Sequence, residues 1–180
     1  MAEPAAVDET SPLLTTVGLL VEAHAGLVTA AEQRLQAEGH VSGQAFEILL
    51  RLLRSPEHRL RMTDLAAQTT LTASGLTRAV DRLERTGLVT REACASDRRV
   101  SYAALTPDGE DAIRRAVPAH VAHLEELFAG FGDDERAELD RLLRRLRDTF
   151  NPEAARASEP VDAPPGLTRG PPPAVRPARR

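Results

Sequence analysis

The stretch LTASGLTRAVDRLERTGLV, residues 71–89, decides the fold. Thr70-Leu71-Thr72 reads as a tight turn, and Thr72 is placed to cap a helix from Ala73 to about Thr86. Leu76, Ala79, Val80 and Leu83 recur at spacings of three and four, which gathers them on one apolar face. Gly87 stands where a helix wants a left-handed terminal residue. The opposite face carries Ser74, Thr77, Arg78, Asp81, Arg82 and Arg85, with Asp81 and Arg85 spaced for an i,i+4 ion pair.

Just upstream, Thr63 is placed to cap a shorter helix containing Leu65 and Ala66. Two short helices joined by a tight turn, the second amphipathic, match helix-turn-helix geometry. In that geometry the second helix lies in the major groove of DNA, with its N-terminal side chains nearest the base edges. Ser, Thr and Arg all hydrogen-bond to base edges or phosphates. Ser74, Thr77, Arg78 and Arg82 are therefore the candidate contacts on this helix. A merely solvated arginine face is the competing reading.

Downstream of Gly87 the apolar period changes to two. Residues 88–92 and 100–105 read as strands, and the polar segment from Cys94 to Arg99 as the tip between them. Asp97, Arg98 and Arg99 sit on this tip. An arginine on a projecting ribbon suits the narrow minor groove, where the potential is most negative. Asp97 can accept from Arg99 and fix its guanidinium; as a local salt bridge alone, the pair is worth under about 1 kcal/mol.

Further out the pattern is helical. Leu13, Val17, Leu20, His24, Leu27, Ala31 and Leu35 form one stripe, ended by Gly39. Ser42 is an N-cap for a helix with Phe46, Leu49, Leu50 and Leu53, stopped by Ser55-Pro56. Thr106-Pro107 opens a helix through Ile113, Val117, Val121, Leu124 and Phe128, with a kink expected at Pro118. After Gly130–Gly132, the acids Asp133, Asp134 and Glu135 start a last helix bearing Leu139, Leu142, Leu143, Leu146 and Phe150. The stripes Leu13–Leu35 and Leu139–Phe150 are too long to leave bare, which predicts dimerisation. Residues 1–11 and the proline-rich 151–180 are expected to be disordered tails flanking one domain, 12–150.

Composition agrees with a mainly α fold carrying a small β-hairpin wing. Hydrophobic residues make up 42% and aromatics only 3%, so the core is aliphatic. All 23 basic residues are arginine, which reads as codon bias rather than selection at each site. The net charge of −4 argues against a nucleic-acid partner, but its distribution does not. Residues 1–41 carry one Arg against six acids, residues 107–180 twelve against fourteen, and residues 42–106 ten against seven. The only net-positive segment is the one holding the helix-turn-helix and the hairpin. The single cysteine, Cys94, rules out an internal disulfide. With no secretory pattern and no apolar segment of bilayer length expected, a cytoplasmic protein without membrane contact is the default.

Residues 71–89, followed by Asp97-x-Arg99 and then Leu105-Thr106-x-x-Gly109, resemble the MarR family of winged helix-turn-helix transcription regulators. The resemblance runs from about residue 13 to 150 and leaves both tails outside. It implies an intertwined helical homodimer built from helices 12–38 and 107–150, with a DNA-binding lobe over about 42–106. It implies a pseudo-palindromic duplex target read by Ala73–Thr86 and a wing arginine, and repression of the protein's own or a neighbouring operon. It also implies a cleft between dimer helices and DNA-binding lobe for a small-molecule effector, for which His24 and His120 are candidates. A buried, hydrogen-bonded histidine is the plainer reading of His24.

Other features lead less far. Cys94, at the wing base, reads as an inert thiol rather than a redox sensor. His120 and His123 have the i,i+3 spacing of a metal pair, but no cysteine cluster supports a metal or any other cofactor. No phosphate loop or nucleophile elbow is present, so an enzyme is not expected. The alternative function is a winged-helix module that binds a protein partner without specific DNA binding.

Overall fold

The computed structural model describes residues 10–37, 41–93 and 100–162. Its first three helices and first strand are α1 (Pro12–Ala37), α2 (Gly43–Leu53), β1 (Arg59–Arg61) and α3 (Met62–Gln68). They are followed by α4 (Ala73–Arg85), β2 (Val89–Ala93), β3 (Ser101–Leu105), α5 (Pro107–Leu127), α6 (Asp133–Phe150) and α7 (Pro152–Asp162). The strands form an antiparallel sheet in the order β1-β3-β2. Leu60 faces Ala103 on one side of β3, and Arg91 faces Ala103 on the other.

The caps lie where short polar side chains allow them. Ser42 accepts from the Ala45 amide at 3.3 Å, and Thr72 from the Gly75 amide at 3.1 Å. Thr106 accepts from the Gly109 amide at 3.0 Å, with Pro107 at the first helical position. At the end of α4, Gly87 takes φ +75°. Its amide donates to Glu84 O at 3.0 Å and the Leu88 amide to Leu83 O at 2.9 Å, which closes a Schellman turn. The side chain of Glu135 returns to the Gly132 amide at 2.8 Å to start α6.

One core joins α2, α3, α4, the sheet and the first half of α5. Ile48, Leu49 and Leu52 of α2 are fully buried against Leu65, Leu76, Val80, Ala103 and Ile113. On α1 only Leu35 is buried, and on α6 no residue is. Leu13, Val17, Leu20, Val21 and Leu27 of α1, and Leu142, Leu143, Leu146 and Phe150 of α6, remain exposed.

Several expectations are corrected. Strand β1 is absent from the sequence reading because three residues, Arg-Leu-Arg, show no period; it follows Glu57 and His58, both at positive φ (55° and 51°). Helix α3 starts at Met62 with Arg61 as its N-cap, not Thr63, which is the second residue inside it. Residues 152–162, expected to be irregular, form α7: Pro152 sits at its first position, where a missing N–H costs nothing. Helix α1 has 26 residues and a mean hydropathy of 1.5 over its most apolar window, so by length and composition alone it reaches bilayer-spanning size. The expectation that no segment does so is withdrawn.

Candidate DNA interface

Helix α4 is seated by its apolar face, with Leu76, Ala79, Val80 and Leu83 buried. That seating turns Ser74, Thr77 and Arg78 outward, where all three are exposed. The Thr77 hydroxyl donates to Ala73 O at 2.9 Å, and Ser74 lies 3.3 Å from the Thr72 hydroxyl. Both oxygens keep lone pairs directed to solvent. Gly75, in the first turn, donates its amide to Thr72, so its nearest neighbour is the helix's own cap.

The remaining candidate on α4 is held differently. Arg82 donates through its Nη2 to the Gln44 side chain of α2, which aims its guanidinium along the lobe. Asp81 does not pair with Arg85: the Arg85 Nε donates to the Asp81 backbone carbonyl at 3.3 Å. The Asp81 carboxylate is taken by Arg91 of β2. Arg91 also reaches Glu84 at 3.1 Å and the Thr77 carbonyl at 3.3 Å, while its own amide donates to Glu84 at 3.2 Å. One arginine on the ribbon thus pairs with two carboxylates on the helix and ties the two elements together. Sequence reading missed it; its signal was a charged residue on a strand two turns of helix away from two acids.

A second joint lies at the other end of the ribbon. The Thr106 hydroxyl donates to Gly87 O at 2.6 Å, and its amide to Leu88 O at 3.2 Å. A Cβ on Gly109 would stand 1.9 Å from Leu88 O, so only glycine lets α5 approach this closely. On the sheet's other flank the Tyr102 ring lies under the guanidiniums of Arg59 and Arg61, at 5.4 and 5.9 Å. The Arg61 Nε donates to the Tyr102 hydroxyl at 3.2 Å.

The described part of the hairpin ends at one residue pair. Ala93 pairs with Ser101 at the far end of the hairpin. Cys94 and the candidates Asp97, Arg98 and Arg99 lie outside the described residues.

The two ligand candidates stand on either side of α2. His120 of α5 stacks on Phe46, with ring centroids 4.4 Å apart. His24 is exposed on α1 rather than buried. Near it, burial pushes the half-buried Glu47 carboxyl upward; Arg51, the Thr70 amide and His24 act against that shift. His123 Nδ1 lies 3.7 Å from Glu126. Among the described residues no three His, Cys, Asp or Glu side chains gather to hold a metal.

The model of the MarR family matches residues 41–100, which hold the helix-turn-helix and the first strand of the ribbon. The chain is 30% identical over 105 residues to the transcriptional repressor YetL of Bacillus subtilis, covering 58% of this chain and 61% of that one. It thus spans less than two thirds of that repressor's length. It resembles a MarR family regulator from Streptomyces coelicolor solved in complex with DNA: 31% identity, TM-score 0.70, 84% of this chain and 94% of that one. It also resembles AbsC of the same organism, a MarR family regulator, at 32% identity and TM-score 0.68, over 81% of this chain and 97% of that one.

Proposed function

This chain belongs to the MarR family of transcriptional regulators, and from that premise we propose that it is a sequence-specific duplex-DNA-binding regulator, a ligand-responsive repressor working as a cytoplasmic homodimer. The observation that carries the reading is α4 itself. Its buried face fixes it in the lobe while Ser74, Thr77 and Arg78 point outward, within the net-positive stretch 42–106.

In this role Ser74, Thr77 and Arg78 meet base edges and phosphates of the major groove. Arg82, braced by Gln44, meets the adjacent backbone. The wing residues Arg98 and Arg99, oriented by Asp97, enter the minor groove. The likeness to a regulator solved with DNA supports this arrangement.

The bare apolar faces of α1 and α6 support the homodimer, since a second copy would cover them. That cover, rather than a bilayer, is then the destination of the apolar α1. A two-fold dimer implies a pseudo-palindromic operator, with half-sites one helical turn or a multiple of it apart. The effector would enter between α1, α2 and α5, beside His24 and His120.

Selection of duplexes from a random library by the full chain tests the reading. Recovery of a two-fold-symmetric sequence is expected. Recovery of no preferred sequence at low salt would overturn it.

A further inference from the structure

Helix α7 grips the helix-turn-helix from outside. Helix α6 contains no buried residue and makes little contact with α5; α7 follows it after the single residue Asn151. At the α6–α7 junction Asn151 acts in two directions. Its Oδ1 accepts from the Ala154 amide at 3.0 Å and caps α7, while its Nδ2 donates to Ala67 O at 3.2 Å. Ala67 lies in the last turn of α3, where carbonyls lack helical partners. One residue on, the largely buried Gln68 donates through Nε2 to Ala157 O at 2.9 Å. Ala154 is 6% exposed and seals the contact.

The place gripped is the one that matters for DNA. Ala67 and Gln68 lead into Thr69–Leu71, the turn from which α4 starts. Glu153 of α7 and Thr77 of α4 line one groove of about 450 Å³ together with Met62, Thr63, Ala66 and Leu71.

We propose that α7 is a clip that joins the α6 arm to α3 and so sets where α4 stands relative to the dimerisation helices. Asn151 and Gln68 are its positioning residues. A regulator that presents two recognition helices at a fixed separation gains from such a joint, because it ties the dimerisation arm α6 to the helix-turn-helix of the same chain. The proposal rests on the DNA-binding reading, since its consequence is measured on DNA.

The test uses the full chain carrying Asn151→Asp with Gln68→Met. Asp keeps the acceptor that caps α7 but loses the donor to Ala67; Met keeps the volume of Gln68 but loses the donor to Ala157. A second variant, Ala154→Glu, forces a charge into the seal. The probe is a duplex selected from a random library by the unaltered chain. Both variants are expected to remain dimers by ultracentrifugation, to lose hydrogen-exchange protection in α3, and to bind the duplex on the order of tenfold more weakly. Lengthening the spacer between half-sites by one base pair should weaken the unaltered chain more than the variants. Unchanged affinity alongside lost protection in α3, or unchanged protection in both variants, would overturn the clip. If the unaltered chain selects no duplex, the DNA reading fails instead, and unchanged exchange in α3 would then overturn the clip separately.

Discussion

Arg91 on β2 closes on Asp81 of α4, and that pair ties the ribbon to the second helix of the helix-turn-helix. The same guanidinium meets Glu84, with Arg91 29% exposed and the two carboxylates 45% and 41% exposed. An exposed pair of this kind is worth up to about 1 kcal/mol after solvent screening. Replacement by Ala should therefore cost about 1 kcal/mol in denaturant unfolding. Its larger effect is on DNA: two carboxylates on α4 lose their counter-charge and repel phosphate. Arg91→Ala is expected to weaken duplex binding beyond what its loss of stability explains. Anisotropy titration on folded protein checks this.

Gly109→Ala should be the costlier change for the fold. The added methyl would overlap Leu88 O at 1.9 Å, and backbone cannot swing aside as a side chain can. Overpacking of this kind costs about 1–3 kcal/mol. A fall in the melting temperature is expected, with the α4–β2 joint loosened, since Thr106 and Gly87 share that contact.

Leu142→Glu with Leu146→Glu should leave a monomer if the proposed homodimer forms through α6. Both leucines are exposed on the free chain, at 41% and 38%, so the substitutions disturb no core of their own. Sedimentation velocity should show the mass halve while circular dichroism stays helical. A dimer of unchanged stability would place the interface elsewhere.

Much of this was legible because local rules and tertiary packing agree. Thr72, Thr106 and Gly87 each do at a helix end what their side chain or its absence dictates, and the 3.6-residue period of Leu76, Ala79, Val80 and Leu83 marks the seated face. What escaped depends on contacts distant in sequence. The Arg91–Asp81 pair spans ten residues and two elements, and it displaced the local Asp81–Arg85 pairing that helix spacing suggested. Strand β1 owes its existence to β3, more than forty residues on. Helix α7 lies in a stretch whose prolines argued for irregularity; its stability comes from docking on α3.

Glu47 gives the chain a pH signature. Burial raises its carboxyl pKa above the ordinary value, so the folded state binds this proton more tightly than the unfolded chain. Its contribution is most favourable below the ordinary carboxylate range and is lost as pH rises through the folded value. Glu47→Gln is therefore expected to raise the melting temperature at pH 7 and to leave it unchanged near pH 3.5. An equal shift at both values would mean that packing, not charge, sets the effect.

Fluorescence anisotropy of the full chain on its selected duplex and on a scrambled duplex of the same composition, each at two salt concentrations, tests the central claim most directly. Tight binding to the selected duplex alone is predicted, falling steeply with salt, with the slope of log affinity against log salt reduced by about one in Arg78→Ala. Weak and equal binding to both duplexes, with the slope untouched by Arg78→Ala, would contradict it.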